Sequence, residues 1–250
     1  MNVSLYQAAA ALNANERWQE LISQNLASAM IPGFKKQDVS FSSVEAGLMQ
    51  AGSTQGAAGH YTMPNANPAT DFAQGELQNT GNNTDVAIEG AGFFEIQLPN
   101  GKTAYTRNGQ FQINADRQLV TSQGYPVQAD GGTIQLDENN PAPMSISPDG
   151  TISQGSEIKG QLKITNFNDP RLLTTAGNSY YLALDPHLTS TPSTANLRQG
   201  FLEAANTSSV TEMASLIDSM RNYEANQKII QVQDDRMSRV ISELGNPNPA

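Results

Sequence analysis

The chain has 250 residues, room for one or two domains, with 14 Lys and Arg against 24 Asp and Glu and a net charge of −10. That balance argues against a phosphate-binding surface of the nucleic-acid type, and the lack of cysteine rules out disulfides, thiolate chemistry and Cys-ligated metals. Apolar residues make up 38%, and the polar remainder is Asn, Gln, Ser and Thr more than charge, so a modest core is expected rather than one spanning the full length.

The first predicted element is a helix from about Val3 to Ala29. Leu5, Ala8, Leu12, Asn15, Gln19, Ile22, Leu26 and Ala29 follow steps of three and four and form one stripe, polar only in its middle. Pro32 cannot continue a helix and Gly33 can take a left-handed turn, so the helix exits through Pro32, Gly33 and Phe34. The opening "MNVSLYQAAAALNANERW" has neither a basic n-region nor a long apolar h-region. No cleavable signal is expected; the chain stays cytoplasmic or leaves through a machine that reads an intact N-terminus. No apolar run approaches membrane-spanning length.

Residues 34–41 read as a short extended piece. Met49–Thr70 is rich in Gly, Ala, Ser, Asn and Pro, and such composition buries too little surface to offset its ordering entropy; the expectation is a segment mobile until a partner orders it. Residues 33–75 together read as an extended linker.

Over residues 76–204 the period changes to that of strands. Phe94, Ile96 and Leu98 alternate with Glu95 and Gln97, as a half-buried strand should. Pro99-Asn100-Gly101, Asn108-Gly109, Asp130-Gly131-Gly132 and Asp149-Gly150 are turn signals. The prediction is a β-rich domain of antiparallel strands, barrel-like or a twisted sheet.

A last helix is predicted from about Ser209 to Leu244, within a segment 205–245, followed by a tail at 246–250. Leu216, Tyr223, Ile230, Met237 and Leu244 repeat every seven residues, with Met213, Met220, Gln227, Asp234 and Ile241 as a companion set. Such a seam supercoils against another helix. Neither terminal helix can cover its stripe alone, and both stripes turn polar midway. The expected fold is therefore α+β: residues 1–32 and 205–245 paired as a coiled coil, with a central antiparallel, mainly-β domain. The predicted packing residues are Leu5, Leu12, Ile22, Leu26, Met213, Leu216, Met220, Tyr223, Ile230, Met237, Ile241 and Leu244. Two paired helices still leave apolar surface over, which invites further copies.

Candidate chemistry is sparse. Gly90-Ala91-Gly92 precedes a strand rather than a helix, so it is a turn and not a dinucleotide loop. His60 and His187, the only histidines, lie far apart with no ligand spacing beside them. No catalytic, cofactor-binding or metal-binding residue is assigned. An enzyme of a different class, an envelope-exposed carbohydrate-active hydrolase, would draw on paired carboxylates such as Asp149 and Glu157 and predicts a cleft lined by them. An adhesin or envelope spacer is the third class.

Three stretches resemble, in order, the signatures of the flagellar axial proteins, the rod and hook group. They are "SQNLASAMIPGFKK", then "DVAIEGAGFFEIQLPNGKTAYTRNGQF" with "QLVTSQGYPV", then "GFLEAANTSSVTEMASLIDSMRNYEANQKIIQVQDDRM". The chain departs from the family pattern at Ser28, Ile31, Ala205-Asn206-Thr207 and Met220-Arg221. Its short central domain is more like a rod than a hook protein. The resemblance implies a structural subunit of the basal-body rod, without enzymatic activity, cofactor, nucleic acid or small-molecule substrate. It implies export unfolded through the flagellar export apparatus and assembly with copies of itself and other axial proteins into a helical tube across the periplasm. That tube would transmit torque, enclose the export channel and pass periplasmic and outer-membrane ring proteins.

Overall fold

The computed structural model describes residues 3–49, 59–138, 140–177 and 179–245, with side chains at these positions except 3–6, 41–49, 59–66 and 244–245. It is an α+β chain with a helix at each end and an antiparallel β region between them. Two compact units divide it: Met1–Leu26, Gln37–Ala69 and Ser209–Ala250 form one, Ala27–Lys36 and Thr70–Ser208 the other. The stretch read as a single linker over 33–75 is thus shared between them.

In the first unit, helix α1 spans Val3–Ser28 and helix α2 spans Ser209–Gly245. Ala, Leu, Gln and Glu, all good helix formers, together make up more than half of α1. Glu212 stands in the first turn of α2, where a carboxylate complements the positive end of the helix dipole. Strands β1 (Gln37–Met49) and β2 (Gly59–Thr70) hydrogen-bond to each other as a two-stranded sheet. The sequence reading gave 34–41 as a short extended piece and Met49–Thr70, within an extended linker over 33–75, as mobile until a partner orders it. The difference arises because ladder bonds join backbones and need no large side chains. Residues 50–58 of that reading lie outside the described residues.

The second unit, here called the body, is built on a six-stranded antiparallel sheet. Its strands follow the order Thr174–Thr175, Tyr180–Leu182, Thr103–Thr106, Phe93–Gln97, Ile164–Phe167, Ser190–Pro192. A three-stranded sheet (Met144–Ile146, Thr151–Gln154, Glu157–Gln161) and several two-stranded ribbons complete it. Asp149 and Gly150 turn the first of these hairpins, with Ser147 N–H donating to Thr151 O at 2.9 Å.

Phe93–Gln97 is an inner strand covered on both faces. Phe94 and Ile96 enter the main core with Val86, Leu119 and Ile152. Phe93 enters a second, aromatic cluster with Phe167 and Tyr181. Phe72 packs edge-on against Phe93 and Tyr181 there, with centroids 5.6 and 5.2 Å apart. The half-buried alternation predicted for this strand is therefore wrong at Glu95. Glu95 is buried because Lys163 Nζ reaches it at 2.9 Å and the Thr165 hydroxyl donates to it.

Candidate functional site

After α1 the chain turns sharply. Ile31 N–H donates to Ser28 O at 2.9 Å, and Gly33 takes a left-handed φ of 68°. A Cβ on Gly33 would stand 2.3 Å from the Arg107 carbonyl carbon, so glycine is required twice over, for conformation and for space. Phe34 is buried directly behind it.

The next residue opens a buried ionic cluster. Lys35 Nζ lies 2.5 Å from Glu203 Oε1 and also donates to Ala73 O at 2.7 Å. Gly75 N–H donates to the same Glu203 Oε1 at 2.9 Å, and Arg107 Nη1 stands 3.4 Å from Oε2. The Arg107 guanidinium carbon sits 5.2 Å from the centroid of the Phe93 ring. Both side chains of the Lys35–Glu203 pair are wholly excluded from solvent. Burial pushes the Lys35 ammonium below its ordinary pKa, and the Glu203 charge opposes that shift; Arg107 shows the same two opposed effects.

Backbone bonds tie the same segments. Gly33 N–H donates to Glu203 O at 2.7 Å, and Glu203 pairs with Leu77 across an antiparallel ladder. Asn206 accepts from Lys36 N–H at 2.7 Å through Oδ1 and donates to Asp71 O at 2.8 Å through Nδ2. A Cβ on Gly75 would fall 2.0 Å from Ala204 O, so the segments approach to backbone contact. The segment that follows α1, the segment around Gly75 and the strand that precedes α2 meet in one clasp. Sequence reasoning found Pro32, Gly33 and Phe34 here but passed over Lys35, Arg107 and Glu203. Nothing in the spacing links positions so far apart.

The helices divide the predicted packing residues into two sets. On α1, Ile22 is buried and Leu12 and Leu26 are half-buried, alongside buried Ala14, Asn15 and Asn25. On α2, Leu216, Tyr223 and Ile230 are half-buried, whereas Met213, Met220, Met237 and Ile241 are 52, 54, 46 and 64% exposed. The side chains of Leu5 and Leu244 lie outside the described residues. Glu212, Ser219, Asn226 and Gln233 of α2, also spaced by seven, are all at least partly covered. An apolar search cannot find them, because every one is polar. Asn25 Nδ2 stands 3.5 Å from Glu212 Oε2, and Asn25 also exchanges two bonds with the Gln37 backbone, 2.8 and 3.0 Å long.

Enzymatic chemistry finds little purchase. Asp149 accepts from the Thr151 hydroxyl at 2.8 Å and the Thr151 N–H at 3.2 Å, which lowers its pKa. Glu157 pairs with Lys159 at 2.6 Å. Asp149 lines a groove with Glu95, Asp130 and Lys163; Glu157 is not among its lining residues. Among the described residues no group of three or more His, Cys, Asp and Glu is placed to hold a metal ion, and no helix is long and apolar enough to cross a membrane.

Comparison with known proteins adds two family matches. Residues 87–154 match the flagellar hook protein FlgE/F/G D1 domain, and residues 198–243 match the C-terminal region of the flagellar basal body rod FlgEFG proteins. The flagellar basal-body rod protein FlgG of Borreliella burgdorferi is 33% identical over 94% of this chain and 96% of its own length. FlgG of Buchnera aphidicola from Acyrthosiphon pisum is 32% identical over 96% and 99%. The rod protein FlgF of Caulobacter vibrioides is 29% identical over 99% and 100%.

Proposed function

This chain belongs to the flagellar basal-body rod family, and from that membership we propose how it serves as a rod subunit: α1 and α2 pair antiparallel along one seam, and the face of α2 left over docks on neighbouring axial subunits. The protein is a structural component of the flagellar basal body and not an enzyme; it assembles with other flagellar axial proteins.

The buried Asn25–Glu212 contact carries the pairing. Stepping down α1 by sevens from Asn25 reaches Trp18 and Ala11; stepping up α2 from Glu212 reaches Ser219 and Asn226. All four are buried or half-buried, as an antiparallel seam in that register requires. Polar residues at regular places in such a seam select one register over its neighbours at some cost in stability. Helix α2 has 37 residues against 26 in α1, so its last turns run on beyond the pairing and carry exposed Met237, Val240 and Ile241. A head-to-tail contact through such a face does not close on itself and generates a filament.

In this arrangement the paired helices form the inner wall of a tube around the export channel, the body forms the outer wall, and residues 37–70 fill space between subunits. A chain without cysteine passes an export channel unfolded with no crosslink to undo. Contacts with ring proteins belong to the outer wall. The test is Ile230→Asp or Leu216→Asp at the native locus. Each should abolish swimming while the purified subunit keeps the parental melting of its body; normal swimming with either would refute the helical wall.

A further inference from the structure

We propose that Glu203 is a positioning residue for assembly: with Lys35 and Arg107 it holds the segment that follows α1 against the strand that precedes α2. This deepens the helix-pairing reading above and rests on it.

Glu203 is the point where four segments meet. Its carboxylate receives Lys35, Gly75 and Arg107, its carbonyl receives Gly33, and its strand pairs with Leu77. Stability alone is a poor reason for this design. A buried ion pair loses its hydration on closure, and apolar side chains of equal volume commonly hold a fold as well or better. What apolar packing lacks is direction. Two cations and an amide arriving from three segments fit one carboxylate in one arrangement, whereas apolar groups tolerate sliding. At Gly33 and Gly75 the backbones approach so closely that an added Cβ would clash with Arg107 and with Ala204, respectively. Registration matters most in a subunit whose two helices must find one register against each other and then against neighbours.

The experiment compares full-length variants at the native locus. In Lys35→Met/Arg107→Met/Glu203→Met, apolar volume replaces the clasp. The expected result is a body melting within about 5 °C of the parent, with swimming lost. Parental swimming would overturn the proposal. Ile230→Asp runs beside it: if that variant also swims, the helix pairing fails, whereas a swimming triple variant beside a non-swimming Ile230→Asp defeats the positioning role alone. Glu203→Gln decides the matter if the triple variant does not fold. Amide exchange at Gly33 and Lys36 should then rise at least about tenfold while Phe93–Gln97 stays protected; an equal rise at both places would show a merely stabilising residue and overturn the proposal.

Discussion

Strand Phe93–Gln97 and helix α2 solve the same problem in opposite ways. The strand lies inside a six-stranded sheet, and its first four residues are buried, even the carboxylate of Glu95, which has its own cation. Helix α2 keeps Met213, Ile217, Met220, Ile229, Val232 and Ile241 about half exposed or more and buries Glu212 and Ser219 instead. Leu216, Tyr223 and Ile230 are only half-covered beside them. Large apolar side chains left this open are unusual on a finished domain. The body buries its apolar side chains within one chain; α2 leaves many of its own exposed.

Proteolysis should separate the two regions most widely. Trypsin acting on the unassembled subunit should cut α2 at Arg221, Lys228, Arg236 and Arg239, all exposed, at least about a hundred times faster than it degrades the body. Equal rates would erase the distinction. Core truncation comes next. Phe94→Ala removes a fully buried ring from the main core and should cost roughly 3–5 kcal/mol. Ile217→Ala, on the open face of α2, should stay within about 0.5 kcal/mol in the monomer. Urea unfolding of the two variants reads the contrast directly.

Gly33→Ala should fall between them. It forces an L residue into a left-handed conformation, about 1–3 kcal/mol, and sets a methyl against the Arg107 backbone. A melting temperature equal to the parent's would deny the tight turn. The smallest effect is electrostatic. The hydrogen bond to Glu95 raises the Lys163 pKa above its ordinary value. Its stabilisation is therefore complete below the unfolded value near about 10.4 and is lost as pH rises through the higher folded one. Because the Lys163 side chain is half exposed, Lys163→Met should cost under about 1 kcal/mol at neutral pH. It should also flatten the alkaline limb of the stability curve; an unchanged limb would assign that loss elsewhere.

Several elements were readable in advance because they depend on neighbours in the chain. The stripe of α1, the stop at Pro32 and Gly33, the turns at Asn100-Gly101 and Asp149-Gly150 and the onset of α2 all follow from local sterics or from a period of a few residues. One reading failed for a physical reason: Glu95 was read as solvent-facing because alternation reports one covered face, and this strand has two. Met213 and Met220, expected to pack between helices or between subunits, stand exposed in the single chain.

Composition and period alone determined that this chain would carry a helix at each end, many short strands between them and no thiol chemistry. Its quoted segments sufficed to suggest the rod and hook group. Only the tertiary structure decided that Lys35 would meet Glu203 and Arg107, that Asn25 would stand against Glu212 and that Glu212 and Ser219 would be buried on α2. The physical reason is range. Torsional preference and hydrophobic period act over a few residues and leave a mark in the order of the letters, whereas a charge buried beside a partner more than a hundred residues away leaves none until the chain has folded around both.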